Sequence, residues 1–124
     1  MSREHPAAKS FSDLTVWRKS HEFVLGVYHL TSAFPKQESF GLSQQFRRAA
    51  VSVPANIAEG FKRRSRKEKA HFLNIAEGSL AECRYYLLLA RDLGYGDTAE
   101  FMTLLEEVSR MLTRYSLAIR ASEY

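Results

Sequence analysis

The stretch Ala49 to Lys69, reading AAVSVPANIAEGFKRRSRKEK, constrains the fold of this chain more than any other. Its first ten residues, Ala49 to Ala58, carry no charge although 26% of the chain is charged, and Lys62 to Lys69 then places six cations in eight positions. A surface helix keeps a polar back. Here Ala49, Ala50, Val51, Val53, Ala55, Ile57 and Ala58 would point all around a helix instead. The pattern predicts a helix covered on more than one side, within one domain or between subunits, that runs straight into a cationic segment.

The rest of the composition narrows the class. A chain of 124 residues with 45% hydrophobic content is expected to form one globular domain, residues 11–121, behind a polar tail at Met1 to Ser10. With only three prolines and six glycines it suits a mainly helical protein. A formal charge of +4 permits a polyanionic partner without requiring one. The single Cys83 excludes an intrachain disulfide and a cysteine-built zinc site. The apolar runs are too short for a membrane span and the first residues too polar for a signal peptide, so the expected location is the cytoplasm.

Four helical segments follow from periodicity, and no segment alternates like a strand. The first, Leu14 to about Phe34 with Asp13 or Thr15 as cap, carries two apolar seams: Leu14, Trp17, His21, Val24, Tyr28, Thr31 and Val16, Ser20, Phe23, Val27, Leu30, Phe34. His21 reads as a hydrogen-bonded core histidine. The second runs from about Phe40 to Glu59, with Gly60 as a left-handed C-terminal cap. Its stripe Leu42, Phe46, Ala50, Val53, Ile57, Phe61 stays in phase across Pro54, which favours a kinked continuous helix over one that ends near Val51 and restarts at Ser52.

A capping box at Ser65 to Glu68 opens the third helix, which stops at Gly94. Its core stripe is read as Phe72, Ile75, Ala76, Leu80, Cys83, Tyr86, Leu87, Ala90 and Leu93, and a second, lighter stripe contains Asn74, Gly78, Ala81, Tyr85 and Leu89. A lone bundle does not need that second stripe, so self-association through the second and third helices is expected. Asp97 to Glu100 forms another capping box before a fourth helix to about Arg120, with Phe101, Leu104, Leu105, Val108, Met111, Leu112, Tyr115 and Ile119 inward. The fold class is all-α, an up-down-up-down antiparallel four-helix bundle.

The segments Ser52 to Gly60 (SVPANIAEG), Gln45 to Ala50 (QFRRAA), Asp13 to Trp17 (DLTVW) and Gly78 to Glu82 (GSLAE) carry a resemblance. Over roughly residues 11–120 the chain resembles the four-helix-bundle proteins named for open reading frames in 23S ribosomal RNA intervening sequences, relatives of the accessory variability determinants of diversity-generating retroelements. The resemblance implies a bundle that assembles into a homo-oligomeric, pentameric ring. It also implies a capacity to bind nucleic acid and, in a retroelement, a reverse transcriptase.

Arg47, Arg48, Lys62, Arg63, Arg64, Arg66, Lys67 and Lys69 form the dense cationic cluster expected to meet RNA or DNA phosphates. Arg66 and Lys67 sit at a helix N-terminus, where the macrodipole is already positive. They are therefore expected to serve something other than local stability. Ala49, Ser52, Pro54, Asn56, Glu59, Gly60, Gly78, Ala81 and Tyr85 make up the family motif or the contact between copies. Asn56 is expected to satisfy backbone freed by Pro54, and Glu59 to pair with Arg47, Arg48 or an arginine of a neighbouring copy.

The function expected from these residues is a non-enzymatic, oligomeric nucleic-acid-binding or scaffolding protein. The alternative is a purely structural or protein-binding ring. Arg66 and His71 make an R-x4-H arrangement loosely like that of HEPN-type ribonucleases, a remote enzymatic alternative. No catalytic pair, metal-ligand set or phosphate-binding glycine loop is evident, and no cofactor is expected.

Overall fold

The computed structural model describes residues 8–122, so most of the expected N-terminal tail lies outside the described residues. Four long helices account for most of them: α1, Thr15–Thr31; α2, Leu42–Lys62; α3, Arg66–Asp92; and α4, Ala99–Ala121. Short 3-10 turns at Phe11–Asp13 and Lys36–Glu38 precede α1 and α2, and there is no strand among the described residues.

Local chemistry explains the ends. The Asp13 carboxylate accepts from the backbone N–H of Lys9 (2.9 Å) and of Ser10 (3.1 Å), which holds its pKa below the ordinary value. It thus closes the 3-10 turn, and Leu14 occupies the N-cap position of α1 without any side-chain cap bond. Glu38 Oε1 accepts from the Leu42 N–H that opens α2 (3.2 Å), while Glu38 Oε2 accepts from the Tyr95 hydroxyl (2.7 Å). The Ser65 hydroxyl accepts from Glu68 N–H at 3.1 Å, so the expected cap of α3 is present. At the other end of α3, Gly94 has φ +74°. Its N–H donates to the Arg91 carbonyl and that of Tyr95 to the Ala90 carbonyl, the double bond pattern of a Schellman stop. The cap of α4 differs from expectation. Asp97 Oδ1 accepts from Ala99 N–H two residues on, and Thr98 at the N-cap position makes no side-chain cap bond.

The helices enclose a core built on Phe23, Phe46, Leu14, Ile57, Leu73, Leu87, Leu105 and Leu112, each below 2% exposed. Every member of the expected second seam of α1 is buried. The first seam is not: Leu14, Val24 and Thr31 go inward, whereas His21 and Tyr28 are exposed. His21 is therefore not a core histidine. It stacks on the half-buried Trp17 ring at 5.2 Å. On α3 the expected core stripe drifts off register, because 3,4 spacing alone allows two adjacent stripes on a helix covered unevenly. Leu73, missed in the sequence, is 1% exposed, whereas Ile75 and Leu93 are 38% and 49% exposed.

The α2 helix is continuous through Pro54, which is buried within it. Gly60 is not its left-handed cap. Among the described residues only Gly94 and Gly96 have positive φ, and α2 runs on two residues past Gly60. The glycine is there for approach: a Cβ at Gly60 would sit 3.3 Å from both the Lys69 carbonyl oxygen and Phe72 Cβ. The tight α2–α3 hairpin therefore depends on the absent side chain.

Contacts between helices keep a consistent order. Between α2 and α3 they pair Gln45 with Tyr86, Ser52 with Ser79 and Gly60 with Phe72. Between α3 and α4 they pair Arg84 with Glu106, Glu77 with Arg120 and Arg66 with Ser122. Lys19 of α1 meets Glu107 of α4.

Candidate nucleic-acid interface

The α2–α3 hairpin positions the cations, and three of them are bonded within the protein, two in the hairpin itself and one to the end of α4. Lys69 Nζ donates to the carbonyls of Gly60 (3.3 Å) and Phe61 (3.0 Å) in the last turn of α2. Its burial pushes the ammonium pKa down. Arg66 crosses to α4 and donates to the carbonyls of Arg120 and Ser122. Arg63 pairs with Glu59 one turn earlier and lies 5.4 Å from the centre of the Phe72 ring. These arrangements follow from helix polarity: carbonyls at a C-terminus lack intrahelical donors and carry partial negative charge.

Arg66 sits at the unfavourable end of α3 and serves a different helix, in keeping with the expectation that it does not act in local helix stability. One expectation is corrected here. Glu59 pairs with Arg63, its i+4 neighbour, and not with Arg47 or Arg48.

Lys62, Arg64 and Lys67 remain. All three are exposed and none has a carboxylate partner among the described residues. Arg47 and Arg48 do not join them. They lie near the other end of α2, and the fourteen residues from Arg48 to Lys62 span roughly 21 Å of helix. Arg47 is further committed to α1, donating from Nε to Thr31 Oγ1 at 2.7 Å and lying 4.6 Å over the Tyr28 ring.

The motif residues build the α2–α3 contact. Asn56 Nδ2 donates to the Ser52 carbonyl (2.8 Å) and Ser52 Oγ (2.9 Å), and Ser79 Oγ donates to Ser52 Oγ (2.8 Å). Asn56 is thus not bonded to the Ala50 carbonyl, the group that lacks a donor because residue 54 is proline. It fixes a small polar bridge between α2 and α3 instead, which SVPAN spacing alone did not disclose. Ala49, Pro54 and Gly60 are buried at the helix contacts, while Gly78, Ala81 and Tyr85 are exposed, with nothing within 4 Å of a Cβ placed on Gly78.

The sequence model of proteins described as 23S rRNA-intervening sequence protein matches residues 12–114. The chain belongs to this family. A crystal structure of a protein with unknown function from the S23 ribosomal protein family of Bacteroides thetaiotaomicron is similar to it, with 27% identity and a TM-score of 0.73. That likeness covers 82% of this chain and 95% of the other. No curated protein matches the chain.

Within this family member, two further features bear on the candidate roles. A groove of about 510 Å³ lies against α1 and α2, lined by Tyr28, Phe40, Gln44, Arg48 and Val51. Phe40 is 91% exposed there. This groove, which sequence periodicity missed because Phe40, expected at the start of the second helix, falls outside its apolar stripe, adds an apolar surface to the exposed Ile75–Tyr85 face of α3. The R-x4-H pair, by contrast, does not converge. Five residues on one helix turn through roughly 140°, His71 packs edge-on to Phe72, and Arg66 is engaged by α4. Cys83 is buried, with its thiol pKa pushed up to about 12 by burial and then by Glu82, and is no nucleophile. Among the described residues no group of His, Cys, Asp or Glu could hold a metal ion, and no helix is long and apolar enough to cross a membrane.

Proposed function

We propose that this chain is a non-enzymatic nucleic-acid-binding protein that acts as an assembly of its own copies in the cytoplasm. The observation that carries the reading is the exposed trio Lys62, Arg64 and Lys67 on the α2–α3 hairpin, without carboxylate partners among the described residues. The family's link to 23S ribosomal RNA intervening sequences supports a phosphate-bearing partner. Three cations per copy give weak binding that is indifferent to sequence, and repetition around an oligomer multiplies it through effective concentration. The order of the helix contacts supports an antiparallel up-down-up-down bundle. A homopentameric ring, joined through the exposed Ile75, Gly78, Ala81 and Tyr85 face of α3, completes the proposal. Where a reverse transcriptase is encoded beside this chain, it is the proposed protein partner.

The test is fluorescence anisotropy with an arbitrary RNA and an arbitrary DNA across a salt series. Three phosphate contacts per copy predict a log–log salt slope of about −2 to −3 for each chain engaged. Reversing Lys62, Arg64 and Lys67 to Glu together should abolish binding without changing the sedimentation coefficient. Binding as tight as the parent's would refute the reading.

The second reading, a protein-binding or purely structural ring, is favoured by the apolar groove at Phe40, which a phosphate-binding surface does not need. It would take over if the triple variant and parent bound nucleic acid equally.

A further inference from the structure

The hairpin cations also line a cavity. Between the α2–α3 connection and the last turns of α4 lies a cleft of about 230 Å³ with Arg64, Arg66 and Lys69 on its walls and Phe61, Tyr115 and Ile119 among its apolar surface. Among the described residues, no acidic one lines it. Three carboxylates of α2 and α3 are bonded elsewhere: Glu59 to Arg63, Glu77 to Arg120 and Glu68 to Ser65.

The charge balance is lopsided. Three full positive charges face the cleft, and the opposing groups are the C-terminal carbonyls of α2 and α4, each helix end being worth about half a negative charge. That leaves a local charge of roughly +2 among the described residues of the cleft, none of which is a carboxylate. Both engaged cations retain spare donors. Lys69 uses two of its three N–H groups and Arg66 bonds the carbonyls through one nitrogen of its guanidinium. Arg64 has no partner among the described residues and is the most adaptable of the three.

We propose that this cleft binds a terminal phosphate monoester, the phosphorylated end of a nucleic-acid strand. A monoester carries about −1.5 to −2 charges near neutral pH, which offsets the excess in the cleft, whereas a phosphodiester within a strand carries only one. Size points the same way. The cleft is smaller than the roughly 300 Å³ at which pockets for whole drug-sized ligands begin, so it fits an end group and not a long segment. Phe61 and Ile119 supply an apolar wall beside the cations for the sugar or base that follows. The half-buried Lys69, whose pKa is pushed down by burial, gains a counter-ion when the site fills. This proposal deepens the nucleic-acid reading and rests on it for the polymer, but the cleft can also be tested with a mononucleotide.

Binding of one oligonucleotide, bearing a 5′-phosphate, a 3′-phosphate or neither, is measured at fixed salt on the full chain. At least one phosphorylated form should bind about tenfold tighter than the unphosphorylated one. Arg64→Ser should reduce that ratio to near one, while Lys62→Ser should weaken all forms alike and keep the ratio. Equal binding of the three forms overturns the proposal even if the polymer binds well, and so does a ratio that survives Arg64→Ser. If no oligonucleotide binds, polymer recognition fails and the cleft is decided by calorimetry with a nucleoside monophosphate, its nucleoside and inorganic phosphate. A signal from the monophosphate exceeding that of both others supports the site; a monophosphate no better than its nucleoside, or no better than inorganic phosphate, overturns it.

Discussion

Leu73 and Ile75 are two residues apart on α3 with opposite fates, and truncating each to Ala measures how the bundle is covered. Leu73 is 1% exposed and lies among the core residues. Truncating it removes three carbons, about 2.4 kcal/mol at 0.8 kcal/mol each, and leaves a cavity worth a further 1–2 kcal/mol in a site that cannot collapse fully. The expected loss is roughly 3.5–4.5 kcal/mol, a large part of the roughly 6–18 kcal/mol that a chain of this length holds. Ile75 is 38% exposed, so the same truncation forfeits only about 1.5 kcal/mol of burial. The better helix propensity of alanine returns about 0.4 kcal/mol, leaving a loss near 1 kcal/mol. Urea unfolding followed by circular dichroism at low micromolar concentration gives both values. Raising the protein concentration should enlarge the Ile75→Ala effect, because that face is proposed to be buried between copies, and should leave the Leu73→Ala effect unchanged. Equal losses at the lowest concentration, or a larger one for Ile75, would refute the assignment of α3's inner face.

Two other outcomes follow from the ion pairs and helix ends. Arg66→Gln should lower the melting temperature by a few degrees (roughly 3–6 °C for about 1 kcal/mol) and increase amide exchange in the last turn of α4, since the bonds to the Arg120 and Ser122 carbonyls go with it; unchanged exchange there would show that the crossing bond does nothing. Glu106 is held below its ordinary pKa chiefly by the hydrogen bond from Arg84, so its contribution is present above the unfolded value of 4.5 and is lost as pH falls through the lower folded value. Glu106→Gln should therefore flatten the acid limb of stability against pH, leaving only the loss of the Asp13 contribution, which is present above 3.8 and goes as pH falls below it, and an acid limb as steep as the parent's would count against the Arg84 pair.

Much was determined by the order of residues alone. Four helices, their approximate ends, the buried seam of α1 and the apolar stripe of α2 through Ile57 are written in 3.6-residue periodicity and in turn residues, because these depend on the backbone and nearest neighbours in the chain. Ser65 as a cap and Gly94 as a stop are local in the same sense. What the tertiary structure decided involves a second helix each time. Gly60 looked like a terminator, and became a point of close approach only when α3 was laid against α2. Leu73 exchanged roles with Ile75 because the neighbouring helices cover one of two equally spaced stripes. The eight cations formed one patch in the sequence. In three dimensions Arg47 turned to α1, Arg66 to the carbonyls of α4 and Lys69 to those of α2, and the hairpin kept only Lys62, Arg64 and Lys67 without a partner among the described residues. A long side chain bonds to whichever carbonyl or carboxylate packing brings within its reach, and that distance is set by the packing of helices far apart in the chain.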